Sequence, residues 1–193
     1  MSDEKITMPS ADVIQSELKR ERNKIRFRRI IKNTIYTLVL VAAIAVLITT
    51  LVLPVLQISG TSMEPTLKNG DIVVLVKTSD LKHGDLCGFS YSNKILIKRV
   101  IALPGETVYI DKSGIVYVNS VSLTEPYITE LSLGECDIEF PYVVPENTYF
   151  LMGDQRATSI DSRNSVIGCI PYDQIIGKLI LKVWPLSDLE VLN

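Results

Sequence analysis

The sequence predicts a mainly β protein: an N-terminal transmembrane helix followed by an all-β domain, barrel-like or built as a folded-over sheet. Three observations predict it. No charged residue occurs from Asn33 to Met63, and the apolar core of that run is long enough to cross a bilayer, which takes about 20 residues. Beyond residue 70 the chain turns to short β-branched apolar runs. Gly and Pro punctuate those runs, as in all-β domains.

Residues 1–32 form a basic tail, residues 33–56 the anchor and residues 57–193 the β-domain. Residues 1–18 are polar, with Pro9, Ser10 and no period, and read as a mobile tail. Lys19, Arg20, Arg22, Lys24, Arg26, Arg28, Arg29 and Lys32 crowd the next stretch, which reads as a juxtamembrane segment touching anionic lipid. A buried helix in a soluble core would show a polar face, and a cleaved secretory signal would carry a shorter apolar stretch. The basic flank on the N-terminal side makes residues 1–32 cytoplasmic and the β-domain extracytoplasmic by the positive-inside rule, in a single pass of the cell membrane.

Strands are expected at residues 71–77, 86–91, 95–103, 107–110, 115–118, 140–144, 148–152, 166–170 and 175–184. Asp111-Lys112-Ser113-Gly114 is a hairpin signal between two of them.

Composition removes several kinds of chemistry. The chain has 193 residues and a net charge of −2, so nothing suggests nucleic acid as a partner. Its only histidine, His83, reads as a turn residue. A Ser-His-Asp triad could use no other, and a metal site would lack imidazole ligands, so neither a metal nor a cofactor is expected. Cys87, Cys136 and Cys169 are too few and too scattered for a disulfide framework or a zinc site.

Three stretches carry candidate chemistry. In Ser59-Gly60-Thr61-Ser62-Met63-Glu64-Pro65 a Gly-x-Ser turn gives an exposed bend that can present the Ser62 hydroxyl; serine is also a common turn residue. In the apolar run 95–103, Lys98 and Arg99 are adjacent cations within a core strand. A desolvated lysine can lose its proton and act as a base, whereas arginine stays charged and needs a carboxylate. The bland alternative is two side chains snorkelling at a strand edge. In residues 153–163, charges alternate; the loop either is solvated or supplies Asp partners to buried cations and a hydroxyl that orients a base.

Together these stretches resemble the bacterial type I signal peptidases, membrane-anchored Ser/Lys proteases, in their Gram-positive single-anchor form. The resemblance runs from the anchor to about Gly177 and rests on Ser62-Met63-Glu64-Pro65-Thr66-Leu67, Gly70-Asp71-Ile72-Val73-Val74, Lys98-Arg99-Val100-Ile101-Ala102-Leu103-Pro104-Gly105-Glu106 and Gly153-Asp154-Gln155-Arg156 with Ser159-Ile160-Asp161-Ser162-Arg163. It implies removal of signal peptides from secreted preproteins. Ser62 would be the nucleophile, Lys98 the general base, and Ser159 would hydrogen-bond the lysine amine. Asp154 would pair with Arg99, and Asp161 with Arg163. Membrane lipid and the protein translocation channel would be further partners. Gln155 stands where the family often has Asn. Gly60 stands where some relatives carry a serine that completes the oxyanion hole, so the second donor must be a backbone N–H or water. Another Ser/Lys peptidase, or an inert membrane-tethered binding protein on the same fold, are the rival readings. A binding protein would not need Ser62, Lys98 and Ser159 together.

Overall fold

The computed structural model describes residues 11–192. The chain divides between Ile48 and Thr49 into two units. The expected polar tail falls partly outside the described residues; from Ala11 onward it is helical instead. Helix α1 runs Ala11–Val52. Its N-terminal half carries exposed (i, i+3) pairs, Arg20 with Glu17 and Lys24 with Glu21, which add helix support. Its second half is long and apolar enough to cross a membrane. The helix stops before Pro54, whose ring disfavours helical geometry in the residue before it.

The β-domain contains twelve strands among the described residues: β1 (Val55–Gln57), β2 (Ile72–Val76), β3 (Leu86–Tyr91), β4 (Lys94–Ala102), β5 (Thr107–Ile110), β6 (Val116–Val118), β7 (Val121–Ser122), β8 (Tyr142–Val143), β9 (Thr148–Met152), β10 (Ile170–Pro171), β11 (Ile175–Trp184) and β12 (Glu190–Val191). The larger sheet has the order β1-β2-β11-β3-β4-β9-β10, with β12 added to β11. The smaller has the order β7-β6-β5-β8. Every pairing is antiparallel. The sheets are folded rather than closed into a barrel, since β1 and β10 end the larger one.

Local chemistry fixes the turns. Asp111 Oδ1 accepts from Ser113 N–H and Ile115 N–H, which builds the hairpin expected there. Ser92 and Asn93 take φ values of +46° and +62°, as a two-residue turn between β3 and β4 requires. Asn119 and Ser120 do the same before β7, at +51° and +69°.

The expected strand at 166–170 is a correction. Only Ile170 and Pro171 pair. Val166 is 74% exposed, its N–H bonds Asn164 Oδ1, and Gly168 donates back to Asn164 O. An asparagine turn thus takes the backbone groups a strand would have used.

Strand β4 ties the core together. Val100 packs with Cys87, Phe89 and Leu151; Ile101 and Ala102 pack with Val108, Val118 and Phe150 against the smaller sheet; Ile97 borders the cluster of Met63, Leu67 and Leu75. Ile101 and Ala102 reach one cluster because the β4–β9 register shifts between Val100 and Ala102, the local irregularity by which a bulge re-aims side chains.

Candidate active site

Strand β4 also sets the electrostatics of the site. Its residues 94–97 pair only with β3, and β9 joins at Arg99. Exposure falls along the strand accordingly, and Lys98 is the first fully buried position, 4% exposed. The lysine therefore sits where an unpaired strand edge runs into the core.

Lys98 Nζ lies 2.7 Å from Ser62 Oγ. Burial pulls the lysine down to about 8, Asp161 and Asp154 pull it up, and Arg163 opposes them. Loss of solvation wins because the two carboxylates are already spent on arginines. Near pH 8 the amine exists in both forms. When neutral it offers its lone pair to the serine hydroxyl, the requirement for a base.

Ser62 occupies a turn held by backbone bonds, Glu64 N–H to Thr61 O, Leu67 N–H to Met63 O, and Gln155 N–H to Ser62 O at 3.1 Å. Met63 and Leu67 are buried and pin the turn to the core. Gly60 has a φ of +101°, which a residue with a Cβ rarely adopts. Its N–H donates to Asn69 Oδ1 at 3.1 Å, so that group is committed within the turn.

Arg99 and Asp154 meet as a buried fork: Nε donates to Oδ1 at 2.8 Å and Nη2 to Oδ2 at 2.6 Å. Thr66, from the Ser62 turn, also donates to Asp154 Oδ2. Arg163 likewise grips Asp161, Nε to Oδ1 at 2.8 Å and Nη2 to Oδ2 at 2.9 Å, and Gly153 N–H donates to the same carboxylate. Burial alone would raise Asp161, but the bonds from Arg163 and Gly153 outweigh it and hold the carboxyl below its usual range. Loop 153–163 is thus a buried ionic lattice and not a solvated one. Removing one partner from such a pair typically costs about 3–5 kcal/mol.

Ser159 is 1% exposed; its Oγ makes no hydrogen bond of good geometry, the expected one to Lys98 Nζ included, though it lies close enough to the Asp161 carboxylate to help hold that group ionised. It packs against Gly153: a Cβ on that glycine would come within 2.6 Å of both Ser159 Cβ and Ser62 O. The bare backbone at 153 is what lets the loop approach the Ser62 turn this closely. His83 is turned to Glu106, 2.7 Å away, and not to Ser62.

The roles of two charged residues escaped the sequence reading. Arg156 is fully buried and donates to the Glu125 carboxylate through both terminal nitrogens. Arg156 lay in plain view within loop 153–163, but its partner comes from a segment with no motif.

Ser62 and Lys98 open onto a cleft. One wall is Leu56, Gln57, Ile58 and Gly60; the other is Ile95, Leu96 and Ile97. Strand β1 ends its sheet, and residues 94–97 lack a β9 partner. Both walls therefore end in sheet edges able to accept an added strand.

Residues 31–184 match the family described as Signal peptidase, peptidase S26. A Signal peptidase I of Bacillus amyloliquefaciens is 30% identical over 184 residues, covering 90% of this chain and 98% of the relative. The Signal peptidase I T of Bacillus subtilis (strain 168) is 34% identical, covering 69% of this chain and 75% of that one. A Signal peptidase IB of Staphylococcus aureus is 34% identical, covering 69% and 78%.

Proposed function

Since this chain belongs to the signal peptidase family, peptidase S26, we propose that it is a membrane-bound serine endopeptidase that removes N-terminal signal peptides from secreted precursors, with Ser62 as nucleophile and Lys98 as general base. The observation that carries the assignment is the 2.7 Å approach of Lys98 Nζ to Ser62 Oγ, at a lysine that burial brings down to about 8.

Neutral Lys98 takes the Ser62 proton, and Oγ attacks the scissile carbonyl. The Ser62 backbone N–H serves the tetrahedral oxyanion, where one donor is worth about 10²–10³ in rate. The lysine ammonium then protonates the departing amine, leaving an ester on Ser62. Lys98, neutral again, draws a proton from water, whose oxygen attacks the ester; the lysine ammonium then returns that proton to Ser62 Oγ as the acyl group leaves as a carboxylic acid. The precursor lies extended in the cleft and adds its backbone to the free edges of β1 and β4. The test is to incubate the detergent-solubilised chain with a secretory precursor and sequence the new N-terminus. Cleavage elsewhere than after the signal segment, or none, sinks the assignment.

In this scheme Ser159 turns its hydroxyl to the lysine amine during turnover, a bond that the resting site does not make. Its hydroxyl makes no well-formed hydrogen bond at rest and only helps hold the Asp161 carboxylate ionised, so Ser159→Ala is expected to cost little stability. Turnover is expected to fall about 10-fold or more, with KM and Tm little changed. Normal turnover with a lowered Tm would mark Ser159 as purely structural.

For topology, the proposal places residues 1–32 in the cytoplasm, residues 33–56 in the plasma membrane and the domain from residue 57 outside, where preproteins emerge from the translocation channel beside membrane lipid. Protease added to intact protoplasts should digest the chain beyond residue 60 and spare the basic segment. The reverse pattern overturns this orientation.

A further inference from the structure

Arg156 takes no part in the mechanism above, yet it is fully buried beside the site. Both terminal nitrogens donate to Glu125, Nη1 at 3.0 Å, and Nε donates to Gly153 O at 3.1 Å. Tyr127 Oη donates to Glu125 Oε1 at 2.8 Å. The Tyr127 ring lies 3.8 Å from the guanidinium carbon of Arg99, and Arg99 holds Asp154. Gly153 and Asp154 open the turn whose next N–H, on Gln155, donates to Ser62 O. The contacts close a circuit: Glu125 to Arg156 to Gly153, and Tyr127 to Arg99 to Asp154, with the Ser62 turn pressed against the result.

We propose that Glu125 and Tyr127, in the segment between β7 and β8, are positioning residues: by gripping Arg156 and Arg99 they hold the 153–155 turn against the Ser62 backbone and so set the approach of Ser62 Oγ to Lys98 Nζ. This rests on the roles proposed for Ser62 and Lys98. A buried ion pair is a poor stabiliser compared with apolar groups of the same volume. It is a good aligner, because a two-pronged guanidinium–carboxylate fork fixes angle as well as distance. Misplacement by about 1 Å can cost on the order of 10² in rate.

The experiment uses the full chain in detergent with Glu125→Ala, Glu125→Leu/Arg156→Met, Tyr127→Phe and Tyr127→Leu. It reads kcat and KM on a preprotein, and amide hydrogen exchange over residues 62–66 and 153–159 against β5 and β6. In Glu125→Ala, exchange in those two segments should rise about 10-fold with β5 and β6 unchanged. Its kcat should fall about 10²-fold with KM within about 2-fold. The double variant leaves no buried charge unpaired, so it should stay folded and melt well above Glu125→Ala, yet remain slow because the bond from Arg156 Nε to Gly153 O is gone. Tyr127→Leu should be slower than Tyr127→Phe, which keeps a ring over Arg99. Wild-type kcat in the folded double variant overturns the proposal. So does a loss in Glu125→Ala that tracks only the folded fraction. Equal rates for the two Tyr127 variants overturn that residue's part. If the wild-type chain itself cleaves nothing, the catalytic roles fall, and the exchange data alone decide: unchanged exchange in Glu125→Ala overturns the grip of Glu125 on the turn.

Discussion

Lys98→Met is expected to cleave no precursor at any pH, and to be as stable as the wild type or more so near pH 7. Methionine keeps a similar apolar stem and removes the titrating amine. Only the neutral amine can take the Ser62 proton, so wild-type activity should climb with pH through about 8. The same shift fixes the stability change. The folded lysine titrates near 8, below its ordinary value of 10.5, so between those two pH values the unfolded chain binds the additional proton. Stability from this group therefore rises with pH across that window and is least favourable below it. At 1.36 kcal/mol for each pH unit, the penalty below the window is on the order of 3 kcal/mol, and Lys98→Met escapes it. Lys98→Arg should be inactive as well, since its guanidinium stays charged. Precursor cleavage against pH, beside thermal melts, checks all of this. Activity in Lys98→Met would eliminate the dyad, and inactivity with global unfolding would leave a lysine needed only for its contacts.

Ser62→Ala should lower cleavage by roughly 10⁴-fold or more while leaving the melting temperature nearly unchanged. The turn owes its shape to backbone bonds, Glu64 to Thr61, Leu67 to Met63 and Gln155 to Ser62 O, and to buried Met63 and Leu67. The hydroxyl contributes to none of these. Initial-rate assays on one precursor, with both proteins at equal folded concentration, make the comparison. Cleavage at the normal rate by Ser62→Ala would remove the nucleophile assignment.

The sequence made the chemistry more legible than the assembly. Arg99 within an apolar run implied a carboxylate partner, and it does meet Asp154; the family resemblance implied Asp161 for Arg163, and those two meet as well. The apolar run after Asn33 and the alternating runs beyond residue 70 marked the helix and the longer strands. Less visible were pairings decided by distant residues. β7 and β12 are two-residue strands, too short for any period. The run Val166-Ile167 looked like a strand because hydropathy cannot tell a buried valine from an exposed one. Glu125 is one of seven acidic residues between Lys112 and Arg156, and nothing local sets it apart from the six others. Its role comes from a fold that brings it against an arginine 31 positions later.

The place of β11 in the larger sheet bears on when the site comes into being. In space it separates β2 from β3, yet in the chain it comes long after both, beginning at Ile175 where they end at Val76 and Tyr91. Ser62 precedes β2, and Lys98 follows β3. A growing chain thus carries both groups long before the strand that brings their two halves of the sheet into register has been made. Closing such a gap is a late, long-range event, since contacts distant in sequence form after local ones. If Ser62 and Lys98 act as proposed, the pair is held in place only once residues 175–184 have been made.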